Sequence, residues 1–262
     1  MQDSIDLSRI FELAESAARE AGGLLFDNLH RQVEVSKKGR IDLVTEMDLA
    51  AESLIVDRIR SLFPDHSILA EEKEKSSGSN QSVKWVIDPL DGTTNYAHGY
   101  RLFCVSIGVE INGRIVVGVV FDPVKDECFS SIRGNGAFLN GGRLQVSARN
   151  DLVDCLVATG FSYQEDAIRK NLEFFSRFML KTRGIRRDGC AALDLCYVAA
   201  GRFDGFWELS LNPWDIAAGA LILEEAGGAV TRFNGQPYSI YHPEILATNR
   251  LIHSKMSAIL CQ

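Results

Sequence analysis

The stretch Trp85–His98, W-V-I-D-P-L-D-G-T-T-N-Y-A-H, decides how this chain is read. An apolar run ends at Asp88, Pro89 fixes φ, and Asp91-Gly92 forces a tight turn into Thr93-Thr94. Asp88 and Asp91 are three residues apart, so a turn can bring both carboxylates to one side. If a helical turn starts there, the N–H groups of Gly92 and Thr93 are free for an anion. Turn chemistry explains the same residues, because P-x-D-G is a common turn and either Asp can cap it.

Three further acidic positions lie on either side of this stretch. Asp42 stands in I-D-L-V-T-E-M-D, where an acid next to an apolar run opens a helix. Capping accounts for Asp42 by itself, and a solvated helix face accounts for Glu46 and Asp48. Glu71 follows S-I-L-A (67–70) and leaves a buried strand at a sheet edge; the plain alternative is a surface pair with Lys73. Asp215 follows Pro213-Trp214 at a helix start, where an acid complements the dipole. Separate explanations do not account for so many acids at the ends of apolar segments.

Hydrophobic spacing sets the frame. Leu7, Ile10, Phe11, Ala14, Ala17, Ala18, Ala21, Leu24 and Leu25 predict a helix capped by Asp3 or Ser4. A second helix is predicted from Glu46 to Leu62, ended by Pro64. Residues 72–81 read as a polar surface loop. Strands at 84–88, 103–111, 114–121 and 128–133 make an antiparallel meander, with a hairpin at Asn112-Gly113. The second half alternates: strand 152–159, helices 168–180 and 190–200, strand 205–208, helix 214–226, strand 229–233. That mixture predicts a layered α+β or α/β fold with an N-terminal lobe over 1–150 and a C-terminal lobe over 151–262.

Lys plus Arg is 28 and Asp plus Glu is 35 among 262 residues, a net charge of −7. That balance argues against a nucleic-acid partner, which needs a basic face. The longest aliphatic stretch, 115–121, is too short for a membrane span, and the acidic M-Q-D-S-I-D start predicts a cytoplasmic protein. Cysteines 104, 128, 155, 190, 196 and 261 form no C-x-x-C pair, so spacing predicts buried, reduced thiols and no zinc site.

The joint pattern resembles the inositol monophosphatase family of metal-dependent, lithium-sensitive phosphatases. W-V-I-D-P-L-D-G-T-T-N (85–95) and P-W-D-I-A-A-G (213–219) carry the resemblance. D-L-V-T (42–45), A-E-E (70–72), G-N-G-A-F-L-N-G (134–141) and R-R-D-G-C-A-A-L-D-L (186–195) support it. The resemblance implies a five-layer αβαβα sandwich of the inositol monophosphatase/fructose-1,6-bisphosphatase type, and a homodimer. It implies one Mg²⁺ on Glu71, Asp88 and the Leu90 carbonyl, a second on Asp88, Asp91 and Asp215, and a weaker third reached by Glu71. It further assigns Thr93 with Asp42 to activating water, and Gly92 and Thr93 amides to phosphate. Gly189, Cys190, Ala191 and Glu208 then meet the alcohol part.

Carboxylates and carbonyls suit hard Mg²⁺. Like charges about 4 Å apart repel by roughly 4 kcal/mol at an effective dielectric of 20, so five converging acids need cations. The implied reaction is hydrolysis of a small phosphate monoester, myo-inositol monophosphate first, without a phosphoenzyme. Fructose 1,6-bisphosphatase, adenosine 3′,5′-bisphosphate nucleotidase and histidinol phosphatase chemistry share the metal core. A regulatory binding protein with a retained site is the non-enzymatic alternative. Cys190, where many relatives carry Ser or Thr, Asp188 beside it, and Arg101 in place of a common proline depart from the family pattern and bear on substrate contacts.

Overall fold

The computed structural model describes residues 6–29, 35–37, 43–73 and 75–262. Asp6 caps α1 (Leu7–Asn28), its carboxylate accepting from the Ser8 and Arg9 amides. The cap is thus neither Asp3 nor Ser4, which lie outside the described residues. The stripe Ile10, Leu13, Ala14, Ala17, Ala18, Ala21 and Leu25 is buried, as its helical spacing requires. β1 (Val35–Lys37) and β2 (Leu43–Thr45) pair antiparallel and lead into α2 (Glu46–Leu62), which packs beside α1.

β3 (His66–Ala70), β4 (Lys75–Ser76), β5 (Asn80–Asp91), β6 (Cys104–Ile111), β7 (Arg114–Asp122), β8 (Glu127–Ile132), β9 (Ala137–Leu139) and β10 (Gly142–Arg143) form one sheet. Their order is β10-β9-β8-β7-β6-β5-β3-β4. The β6–β7 turn is the expected Asn112-Gly113, with φ of 50° and 79°, the left-handed pair such a hairpin needs. The segment expected as a loop at 72–81 instead contributes β4, an edge strand pairing with Ile68 and Leu69, and the first residues of β5. Between β5 and β6 sits the short helix α3 (Thr93–Ala97).

The rest of the chain supplies β11 (Leu156–Thr159), α4 (Glu165–Met179), β12 (Gly184–Arg186), α5 (Ala191–Ala199), β13 (Gly205–Leu209), α6 (Pro213–Glu225), β14 (Ala229–Thr231), β15 (Glu244–Thr248) and α7 (His253–Leu260). Its sheet runs β12-β11-β13-β15-β14, parallel around β11 and antiparallel beyond β13. Helices α1 and α2 cover one face of the large sheet, α5 and α6 lie between the two sheets, and α4 and α7 cover the outer face of the small one. This is the five-layer αβαβα sandwich that the resemblance implied. Strand β6 is buried from Cys104 to Glu110 because both faces of the large sheet carry helices.

α6 approaches that sheet closely over a cross-strand glycine pair, Gly108 and Gly118. A Cβ on Gly108 would stand 2.8 Å from Ala217 Cβ, and one on Gly118 would stand 2.8 Å from the Ala218 carbonyl oxygen. The glycines therefore set how deep α6 sits. Gly108→Val should lower stability by about 1–3 kcal/mol through overpacking, read as a lower urea midpoint. Gly23→Ala, where an added Cβ meets nothing within 4 Å, should be neutral or stabilising.

Candidate active site

Strands β3 and β5 are parallel, so both end on the same side of the sheet and deliver Glu71, Asp88 and Asp91 there. Residues three apart in a regular strand point to opposite faces. Here Asp88 pairs with Ser106 and Asp91 with Cys104, three steps on β5 against two on β6. This one-residue bulge at Pro89-Leu90 returns both carboxylates to one face. The Leu90 amide donates to Asp88 Oδ1 at 3.0 Å. Gly92 then turns the chain at φ 97°; a Cβ there would stand 3.1 Å from the Leu102 carbonyl oxygen.

The second half of the chain closes the site from above the sheet. α5 starts at Ala191 behind Gly189, which has φ 75°, and the Ala192 amide donates to Asp91 Oδ2 at 2.7 Å. α6 starts at Pro213; Asp215 accepts from the Asn212 amide at 2.7 Å, so it caps its helix as well as lining the site. Glu208 on β13 is buried against Gly160, where a Cβ would stand 2.2 Å from Glu208 Oε1. Glu71, Asp88, Leu90, Asp91, Gly92, Thr93, Gly189, Cys190, Ala191, Glu208 and Asp215 all line one cavity of about 360 Å³.

Asp42 lies outside the described residues. Among the described residues the carboxylate on Thr93 is Asp48: the Thr93 hydroxyl donates to Asp48 Oδ1 at 2.9 Å, with the Leu90 carbonyl as its other acceptor at 3.1 Å. Asp48 is fully buried, not part of a solvated face, whereas Glu46 is exposed. Its Oδ2 accepts from the Thr45 amide at 2.8 Å and from the Thr45 hydroxyl, completing a capping box. Sequence reasoning also missed Asn95, which donates to the Leu102 and Asp188 carbonyls and ties α3 to the loop before α5. It missed Arg187 and residues 160–164, which also line the cavity. Trp207 and Phe206, beside Glu208, are core.

Burial pushes Asp88 well up, and the charges of Glu71, Asp91 and Asp215 push it further. Asp91 is raised by burial to about 6, against the pull of the Ala192 and Cys190 hydrogen bonds. Asp215 is raised by burial, then by Asp91 and Glu71, and Glu208 by burial, then by Asp215 and Asp91. This is a set of like charges in mutual reach. Its donors are carboxylates and one carbonyl, the oxygen set that Mg²⁺ takes, so the residues fit a divalent cation.

Residues 6–262 match the inositol monophosphatase family. The chain is 46% identical over 247 residues to "Nus factor SuhB" of Pseudomonas aeruginosa, covering 92% of this chain and 91% of that protein. It is 43% identical over 257 residues to the inositol-1-monophosphatase of Synechocystis sp., covering 97% and 90%. The crystal structure of the extragenic suppressor protein SuhB from Bartonella henselae superimposes with a TM-score of 0.93 at 41% identity, covering 96% of this chain and 98% of that one.

Cation binding to such a cluster must stabilise the folded chain. At about 100 times its Kd, Mg²⁺ should add about 2.7 kcal/mol, a rise in Tm of about 5–10 °C. Protons compete for carboxylates whose values are raised, so the gain should be larger at pH 8 than at pH 5. Thermal unfolding with and without Mg²⁺ at pH 8 and pH 5 reads this; no Tm change at pH 8 contradicts the cation-binding assignment.

Proposed function

The chain belongs to the inositol monophosphatase family, and from that premise we propose that it is a Mg²⁺-dependent phosphomonoesterase acting on a small polyol phosphate, inositol 1-phosphate first. The observation that carries this reading is one cavity lined by Glu71, Asp88, Asp91, Asp215, Glu208 and Thr93, the last paired with buried Asp48. Glu71, Asp88 and the Leu90 carbonyl would hold one Mg²⁺, and Asp88, Asp91 and Asp215 a second. Bound there, the ions would neutralise the acids and polarise the phosphate and the attacking water.

The chain's own groups supply the rest. The amides of Gly92 and Thr93, at the start of α3, hold phosphate oxygens. Thr93 takes a proton from the attacking water while its own hydroxyl proton passes to Asp48 Oδ1, 2.9 Å away. Burial raises Asp48, and the Thr45 and Thr93 hydrogen bonds hold its ionised form in place. A carboxylate lifted towards neutrality is a better proton acceptor than an ordinary one. Glu208, Gly189 and Ala191 form the wall for the alcohol, where a buried carboxyl pairs with hydroxyls rather than with an apolar group. Cys190 places a thiol on that wall.

Two lobes, the first carrying most of the acids and the second Asp215 and the substrate wall, belong to the same proposal, as does a homodimer. Among the described residues no helix is long and apolar enough to cross a membrane. The relatives named as Nus factors favour a second reading, a role in a larger assembly alongside phosphate hydrolysis.

A phosphate-release panel over inositol, fructose, nucleotide and histidinol phosphates should give the highest kcat/KM on an inositol monophosphate, and only with Mg²⁺. No release from any of them rejects the proposal. Asp88→Asn should abolish release while circular dichroism stays unchanged; an assembly role would survive that substitution. Asp48→Asn should cost about 10²–10⁴ in kcat. In the parent enzyme, activity should fall as pH drops through a carboxylate value above the usual range, because Asp48 must be ionised to accept the proton.

A further inference from the structure

Cys104 stands opposite Asp91 across the β5–β6 ladder, so their side chains share a face. Cys190, the residue before α5, brings its sulfur to 3.5 Å from Cys104 Sγ and 3.4 Å from the Asp91 carbonyl oxygen. One donor atom from each of Asp91, Cys104 and Cys190 lies within 4.8 Å of the other two. Both cysteines are free and buried, and 86 residues separate them, so spacing in the sequence cannot show the pair.

The sulfur separation has a chemical meaning. Two thiolates on one tetrahedral zinc, each at about 2.3 Å, stand about 3.8 Å apart. A disulfide needs about 2.05 Å. At 3.5 Å the two sulfurs are in van der Waals contact, about 0.3 Å short of the zinc spacing and about 1.5 Å beyond a disulfide. A second buried acid lies near the pair. Asp194, one helical turn beyond Cys190 on α5, is 1% exposed, and neither of its carboxylate oxygens has a hydrogen-bond partner among the described residues. A buried carboxylate without partners marks a place for a cation or a water. Its charge reaches Cys104, and it is itself raised by the charges of Asp188, Glu208 and Asp91.

We propose that Cys104, Cys190 and Asp91 form a site for a thiophilic divalent cation, Zn²⁺ or Cd²⁺, which shuts the active site by taking Asp91. Asp91 and Cys190 line the cavity, which gives the ion its path, and Cys104 completes the donor set from behind. The two thiol protons leave as the cation binds. Mg²⁺ does not favour sulfur, so one carboxylate serves two ions and the thiols decide which of them can also bind there. The inhibition rests on the Mg²⁺ reading above; the binding does not.

The test uses the reduced, full-length protein without Mg²⁺, titrated with Cd²⁺ and followed by the ultraviolet thiolate-to-cadmium charge-transfer band. The band should saturate at one equivalent, disappear in Cys104→Ala and persist in Cys261→Ser. Should Cys104→Ala fail to fold, Cys104→Ser serves in the same titration. In phosphate release with excess Mg²⁺, half-inhibition by Zn²⁺ should need at least about tenfold more metal in the Cys104 variant, with each enzyme normalised to its own zinc-free rate. A band that survives in the Cys104 variant, a band lost in Cys261→Ser, or unchanged zinc inhibition overturns the proposal. A Cys104-dependent band on a protein that hydrolyses none of the panel supports the site while failing the phosphatase reading.

Discussion

Asp88 is 2% exposed and is opposed in its ionised form first by burial and then by Glu71, Asp91 and Asp215. That electrostatic conflict governs the rest of the structure. Like charges a few ångströms apart in such a place repel by several kcal/mol, so the cluster holds protons or cations. The backbone is arranged to tolerate the acids: Leu90 donates to Asp88, Ala192 to Asp91 and Asn212 to Asp215. Each amide orients its carboxylate and leaves other lone pairs for a cation.

The fold exists to bring those acids together from distant parts of the chain. Parallel β3 and β5 end side by side, and the bulge at Pro89-Leu90 turns Asp88 and Asp91 to the face that α5 and α6 cover. α6 reaches that face because Gly108 and Gly118 leave room for Ala217 and Ala218. α5 reaches it because Gly189 adopts φ 75° and directs the start of the helix at Asp91. The packing of small residues between the two sheets is thus what sets the distance between Asp215 and the Asp88–Asp91 pair. Function and close packing are one requirement here.

Much of this was legible in the sequence, for physical reasons that can be named. The run 85–95 joins a buried strand to a turn that only Pro, Asp and Gly make easily, and Asn112-Gly113 meets the positive φ that its hairpin needs. The bounds Glu46 and Leu62 of α2 follow from its apolar spacing and Pro64. What was missed has equally local causes. β4, β12 and β9 are two or three residues long, too short for a period to show. β15 and α7, at five and eight residues, are also short. Asp48 reads as a solvated helix face because spacing does not show a capping box; that box on Thr45 turns it towards Thr93, while Asp42 lies outside the described residues. The Cys104–Cys190 approach depends on β5–β6 register and on the position of α5, neither of which spacing contains.

Glu71, Asp88, Asp91 and Asp215 are placed to share divalent cations. Anomalous diffraction from crystals grown with Mn²⁺ in place of Mg²⁺ tests it most directly. At least two anomalous peaks are expected within bonding distance of these carboxylates, with Asp88 touching more than one. Full-occupancy side chains at this site with no anomalous peak among them, or peaks only elsewhere on the molecule, would contradict it.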